Sequence, residues 1–282
     1  MKKGLILEGG AMRGLFTAGI LDVFMHHGIT FDGMVGVSAG AAFGCNFKSG
    51  QIGRTLRYNK KYCRDKRYCS FHSLLTTGDL YGADFCYNTL PMELDVFDND
   101  AFSRNPMEFY VVCTDIESGE AIYKKCNTGV GEDLLWFRAS ASMPLVSRIV
   151  EIDGGKFLDG GMADSVPVKF FERMGYDKNV VILTQPENYL KKKNSSLPLI
   201  RVVFKKFPNL VKVMENRHNV YNETLEYIKE REKDGRIFVI RPEKSLDIGH
   251  IEHNPENLQR VYDNGCEVAK KKITKLKEFL SE

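Results

Sequence analysis

A chain of 282 residues with 43% hydrophobic residues is long enough to bury one large core or two small ones. Its 40 basic and 37 acidic residues leave a net charge of only +3, too even a balance for a protein built to grip nucleic acid. The seven cysteines, at 45, 63, 69, 86, 113, 126 and 266, include no Cys-x-x-Cys pair, which speaks against a zinc site or a disulfide framework and for reduced, mostly buried thiols.

Nothing at the N-terminus resembles a signal peptide, and no apolar run approaches the roughly 18 residues of a membrane span, so the cytoplasm is the expected location. Leu5-Ile6-Leu7 reads as a short buried strand that runs into Glu8-Gly9-Gly10-Ala11-Met12-Arg13-Gly14. A glycine-rich turn between strand and helix leaves several amides unpaired, and the helix N-terminus adds positive potential, so such a loop can hold an anion. A dinucleotide fingerprint would need glycine at its third place, which here is Ala11, and an acid about 20 residues on, whereas the next strand ends in Ser38. Leu15, Ala18, Ile20, Leu21, Phe24 and Met25 follow at helical spacing until Gly28 ends the helix. Met34 to Val37 form the second strand of a right-handed βαβ unit, which makes the two strands parallel.

That second strand ends in Gly36-Val37-Ser38-Ala39-Gly40, a G-x-S-x-G pattern. A serine there sits on a sharp strand-to-helix turn with its hydroxyl pushed into a cleft, and the flanking glycines leave room for the neighbouring backbone. Both special loops leave the carboxyl ends of parallel strands, where open α/β sheets place their sites.

Residues 51–106 are basic at first and rich in aromatics (Tyr58, Tyr62, Tyr68, Phe71, Tyr81, Phe85, Tyr87), as a cap or substrate-pocket insertion would be, although aromatic stripes commonly form plain core. Met107 to Cys113 and Glu120 to Lys125 read as strands around the turn Glu117-Ser118-Gly119; Val180 to Leu183 and Ile237 to Ile240 read as further buried strands. Helical patterns occupy 165–174, 209–233 and 255–281, and no Pro/Gly/Ser-rich linker divides the chain, so a single domain over 1–282 is expected. Two Asp-Gly-Gly tripeptides lie six residues apart. Asp153-Gly154-Gly155 falls between the alternating runs Ile149 to Ile152 and Lys156 to Leu158, so it reads as a hairpin turn. Asp159-Gly160-Gly161 follows the returning strand, from where the carboxylate of Asp159 can project toward a cleft.

These blocks, with Thr114-Asp115-Ile116-Glu117-Ser118-Gly119-Glu120 and Ala139-Ser140-Ala141-Ser142-Met143-Pro144, resemble the patatin-like phospholipases, in the family's order and over about the first 170 residues. The resemblance implies an α/β three-layer sandwich with a mainly parallel central sheet and helices on both faces. It implies a Ser-Asp dyad, Ser38 as nucleophile and Asp159 as base, with the amides of Gly9, Gly10, Ala11 and Met12 as the oxyanion hole. Arg13, Gly14, Gly36, Gly40, Gly160 and Gly161 take supporting places, Arg13 propping the glycine loop. Ala11 stands where the family usually has a third glycine, and the turn accepts its methyl only if φ stays negative. The implied reaction is hydrolysis of carboxylic esters of acyl lipids, of phospholipase A or lysophospholipase type, without metal or cofactor. The last 110 residues are expected to complete the sheet and its outer helices.

Two other readings compete with this one. A Ser-Asp-His triad would recruit a late histidine, His218, His250 or His253. A non-catalytic lipid-binding or regulatory protein on the same fold would have a broken motif, and here the motifs are intact. The clusters Lys191-Lys192-Lys193, Lys205-Lys206 and Lys270-Lys271-Lys272 could bring the chain to an anionic membrane, or be simply solvated. Sequence leaves the oligomeric state open.

Overall fold

The computed structural model describes residues 1–281. Leu5, Ile6 and Leu7 end strand β1 (Lys2–Leu7), fully buried on both faces as the middle of a parallel sheet requires. A single 3-10 turn leads into α1 (Gly14–His26), followed by β2 (Gly33–Val37) and α2 (Ala39–Lys48). Then come α3 (Arg54–Tyr62), α4 (Phe71–Thr77), a π-helix (Phe85–Leu94), α5 (Asn99–Arg104), β3 (Glu108–Asp115) and β4 (Ala121–Lys125). The next stretch holds α6 (Glu132–Ala141), β5 (Val150–Ile152), β6 (Gly155–Asp159), α7 (Val168–Arg173) and β7 (Tyr176–Ile182). Last are α8 (Leu197–Val203), α9 (Pro208–Lys233), β8 (Ile237–Ile240) and α10 (Pro255–Ser281).

The strands form one sheet in the order β5-β6-β3-β2-β1-β7-β8, with β4 also on β3. From β3 through β2, β1 and β7 to β8 every pairing is parallel, while β4, β5 and β6 join antiparallel. Alternate residues of the central strands point to opposite faces. Leu5, Leu7 and Met34 enter a core with α1, α2, α6 and α10; Ile6, Val35 and Val37 enter a second core with α7 and α9. The result is the expected three-layer α/β sandwich.

One register feature positions the site. β4 occupies one edge of β3 from Tyr110 to Thr114. A strand has only two edges, so β2 (opposite 108–112) and β6 (opposite 113–115) share the other edge end to end. Val37 lies across from Val112 and Asp159 across from Cys113, which places the residue after β2 beside the last residue of β6.

The expected strands are present; β1, β2, β3, β6 and β7 run past the expected span at one end or both, while β3, β4, β5 and β7 each lose one residue at an end. The helix expected from 165 begins instead at Val168, because Pro167 disfavours helical backbone at Val166. Asp153 and Gly154, with φ of 50° and 80°, make the tight turn between β5 and β6. In the aromatic stretch, Tyr58, Tyr62, Tyr68 and Phe85 are core, packed edge-to-face in a chain, whereas Phe71 is exposed. The C-terminal segment supplies β8 and lays α10 along α1. Gly19 and Gly265 permit that close approach: a Cβ on either would come within about 2.2 Å of a backbone carbonyl oxygen of the other helix.

Candidate active site

The turn after β2 is tight enough to leave a mark on its backbone. Ser38 has φ 55° and ψ −122°, a conformation that strains any residue with a Cβ by roughly 1–3 kcal/mol. The flanking glycines are set by contact: a Cβ on Gly36 would meet the Ala41 nitrogen at 2.6 Å, and one on Gly40 the Leu7 carbonyl oxygen at 2.5 Å. The Ser38 amide donates to Ser140 Oγ at 2.9 Å, and that hydroxyl donates onward to the Val112 carbonyl at 2.6 Å. The fully buried Ser140 thus ties the strained turn to β3. Helix α2 starts at the next residue, so the positive end of its dipole faces Ser38.

Asp159 closes the other side. It is 6% exposed, its amide donates to the Ser142 carbonyl, and the Thr114 hydroxyl donates to its own carbonyl, so both main-chain polar groups are fixed. Its Oδ1 accepts from the Gly161 amide at 2.7 Å. Burial raises its pKa above the ordinary carboxylate value; the neighbouring Ser38 hydroxyl, the positive charge of Arg217 and the Gly161 amide draw it partly back. Gly160 packs on β3, where a Cβ would strike the Val112 carbonyl.

The glycine loop lies against the same turn, Gly9 touching Ser38 and Gly14 touching Ala39 of α2. Among the described residues, the amides of Gly9, Gly10, Ala11 and Met12 donate to no backbone or side-chain acceptor, while the Gly10 carbonyl accepts from the Arg13 amide. Ala11 does not hold a negative φ: it sits at +48°, in the left-handed region. That expectation is corrected by the structure, which keeps the turn of a glycine there and places the strain on alanine. Beneath the loop the buried Glu8 carboxylate accepts from the Thr184 amide and hydroxyl and from Tyr221 Oη of α9. Burial and then the Glu8 charge push the Tyr221 phenol well up, so it stays a donor.

Ser38 opens into a cavity of about 140 Å³. Its walls run from Ala11 and Met12 across α2 to Tyr87, Leu90 and Pro91 of the π-helix, and 51–106 supplies much of the apolar lining. Asp153 is exposed in its hairpin. No hydrogen bond among the described residues joins His218, His250 or His253 to Ser38 or Asp159; His253 Nδ1 meets the Cys63 carbonyl instead. No group of three or more His, Cys, Asp or Glu side chains among the described residues is placed to hold a metal ion.

A family model described as patatin-like phospholipase matches residues 5–171, from within β1 into α7. The chain belongs to the patatin-like phospholipase family. Its patatin-like segment contains Ser38, Asp159, the glycine loop and the two serines that tie them down. A second model, described as a domain of unknown function (DUF6363), matches 207–281. That stretch supplies Tyr221 and Arg217, which reach the patatin-like site from α9. The Escherichia coli K12 protein named "Uncharacterized protein YjjU" is 28% identical over 268 residues, covering 86% of this chain and 69% of the relative. The crystal structure of VipD from Legionella pneumophila aligns with a TM-score of 0.47 and 13% identity, over 96% of this chain and 66% of that one.

Sequence reasoning assigned no task to Ser140, Ser142, Thr114, Glu8 or Arg217. The first three lie in blocks quoted for the resemblance, so the blocks were visible and the bonds were not. The strain at Ser38 gives a direct test. Replacing Ser38 by glycine relieves the positive φ and replacing it by alanine does not, so Ser38→Gly is expected to be more stable than Ser38→Ala by about 1 kcal/mol or more in urea unfolding. A less stable glycine variant would mean that the turn is unstrained.

Proposed function

We propose that this patatin-like protein is a serine hydrolase that cleaves carboxylic esters of acyl lipids, with phospholipase A or lysophospholipase activity. One observation carries the reading: strand pairing sets Ser38 beside a buried carboxylate with a raised pKa, next to a loop of unpaired amides and an apolar cavity. Asp159 takes the proton from Ser38 as Oγ attacks the ester carbonyl. The carbonyl oxygen becomes an oxyanion and accepts hydrogen bonds from the amides of Gly9 to Met12, each donor contributing about 2.7–4 kcal/mol in comparable sites. Collapse breaks the bond to the lipid alkoxide, which leaves with the proton from Asp159. Water then attacks the acyl-enzyme, Asp159 accepting its proton and returning it to Ser38 Oγ. A free aspartate, with a pKa near 3.9, is a feeble base for this task, and desolvation strengthens it.

The acyl chain fits the apolar cavity. Supporting a peripheral encounter with lipid, α8 buries Leu197 and Ile200, together with the Phe204 that follows it, against α9 and leaves Leu199, Val202 and Val203 exposed, with exposed Leu190 in the preceding loop. Lys192, Lys193, Lys205 and Lys206, all exposed, flank this apolar face, the arrangement of a surface that rests on an anionic bilayer. Among the described residues, no helix is long and apolar enough to cross a membrane. The third lysine cluster is spent otherwise: Lys272 Nζ donates to the Val239 carbonyl and Lys271 pairs with Glu243.

Ser38→Ala and Asp159→Asn are each expected to lower ester turnover by about a thousandfold or more, with Asp153→Asn retaining wild-type activity. Because the base must be ionised and its pKa is raised by burial, kcat/KM falls as pH drops, with its midpoint above the ordinary 3.8. Full activity in Asp159→Asn, or a midpoint at or below 3.8, contradicts the assignment. Vesicle sedimentation reads the docking face. Binding is expected to rise with anionic lipid content, fall with salt, and weaken when Val202 and Val203 are both replaced by Ser; binding indifferent to all three removes it.

A further inference from the structure

Lys191 does not behave as part of a solvated lysine run. While Lys192 and Lys193 are exposed, Lys191 folds inward, its Nζ 4.2 Å from the centre of the Tyr221 ring and 5.8 Å from that of Tyr189. Tyr221 is the residue that donates to Glu8 beneath the glycine loop, so the ammonium is brought close to that loop. Two other cations converge there. Arg13 rises from the loop itself, against Gly10, with Nε buried and without a hydrogen-bond partner. Arg217 reaches over from α9, donating Nε to the Gly161 carbonyl, with its charge felt by Asp159. His250 faces all three from the rim, its backbone carbonyl held by Tyr81 Oη at 2.6 Å.

The acids nearby do not neutralise this group. Glu8 spends its carboxylate on Thr184 and Tyr221, and Asp159 faces Ser38 and the Gly161 amide. None of Arg13, Lys191 and Arg217 takes part in a salt bridge among the described residues. The crowding has an electrostatic signature. Burial, followed by the charges of Arg217 and Arg13, lowers the Lys191 pKa to about 8, with Glu8 pulling the other way. Burial and the same cations, with Lys191, lower that of His250. Half-buried positive charges without a salt-bridge partner are costly unless an anion comes to share them.

We propose that Arg13, Lys191 and Arg217, with His250 at the rim, receive the phosphate of an anionic lipid headgroup while the acyl chain occupies the cavity beyond Ser38. The proposal rests on the hydrolase reading, because it makes the cationic group the headgroup side of that site. It gives the segment beyond the patatin-like match a task, since Arg217 and His250 both lie within 207–281 and Lys191 lies in the connection before it. A phosphate here satisfies Arg13 Nε and restores full charge to Lys191. Zwitterionic headgroups carry the same phosphate but bring a cation toward three others, so a net negative headgroup is favoured.

The test uses dihexanoyl lipids as dissolved monomers, which removes any contribution from docking to a surface. Wild-type protein is expected to show kcat/KM about tenfold or more higher for dihexanoyl phosphatidylglycerol than for dihexanoyl phosphatidylcholine, mainly through KM. Lys191→Gln and Arg217→Gln each shrink that ratio severalfold toward one, and Lys191→Arg retains it. Inorganic phosphate competes with phosphatidylglycerol and does not accelerate dihexanoylglycerol; acceleration would make free phosphate, not the headgroup, the ligand. A wild-type ratio near one, or a ratio unchanged in both glutamine variants, overturns the proposal. If no ester is turned over, the hydrolase reading fails separately, and binding of a dihexyl-ether phosphatidylglycerol, measured by calorimetry, decides the cationic site: affinity lost in Lys191→Gln supports it, and no binding to wild type ends it.

Discussion

Everything at this site depends on how β3 divides one of its edges. With β4 along the opposite edge, β2 arrives parallel and stops at Val112, and β6 arrives antiparallel and takes over at Cys113. The two chain ends that meet there carry Ser38 and Asp159. Pairing in a ladder is specified by a period of two, so sliding β6 by one residue would turn the Asp159 carboxylate to the other face of the sheet. The hairpin at Asp153-Gly154 fixes that register from one side, and the Thr114 hydroxyl, bonded to the Asp159 carbonyl, fixes it from the other. The convergence of hydroxyl and carboxylate is thus a property of strand pairing and not of two flexible loops.

The same junction stores unfavourable energy. Ser38 and Ala11 both hold positive φ, and a carboxylate is kept in a nearly dry place. Such features persist only where the surroundings over-determine them. Here Ser140 holds the Ser38 amide, Ser142 holds that of Asp159, and the two cores above and below the sheet clamp the strands. A carboxylate whose pKa is raised by burial and a loop whose amides remain unpaired are each destabilising alone. On the proposed hydrolase reading, an ester makes of them a site that holds charge only as it develops.

Much of this was legible in the sequence because tight backbone approach leaves a residue signature. The glycines at 36 and 40 stand where a Cβ would collide with backbone, the two Asp-Gly-Gly tripeptides separate into a turn and a strand end, and the apolar runs mark the central strands. The sign of φ at Ala11 was not legible, since sequence does not show that neighbours will hold an alanine in a glycine's conformation. Nor was the shared edge of β3, which joins residues far apart in the chain. In 51–106, α3 buries residues at helical spacing but three of its five buried residues are polar, α4 is only two turns long, and the π-helix contains Pro91. Lys191 sits in a run of three lysines and Arg217 on a highly charged helix, where composition reads as solvated surface; only packing separates Lys191 from its neighbours. The C-terminal segment did prove to complete the sheet and outer layer, and its side chains also reach the site.

The central claim is that a hydroxyl and a carboxylate act together under the glycine loop without a histidine, and a covalent adduct tests it most directly. Crystals of the protein treated with an alkyl fluorophosphonate are expected to show phosphorus bonded to Ser38 Oγ, a phosphonyl oxygen about 2.7–3.1 Å from amides among Gly9 to Met12, and Asp159 still facing the modified oxygen. An adduct elsewhere, a phosphonyl oxygen turned away from that loop, or a histidine moved in to bond Asp159 would contradict the account.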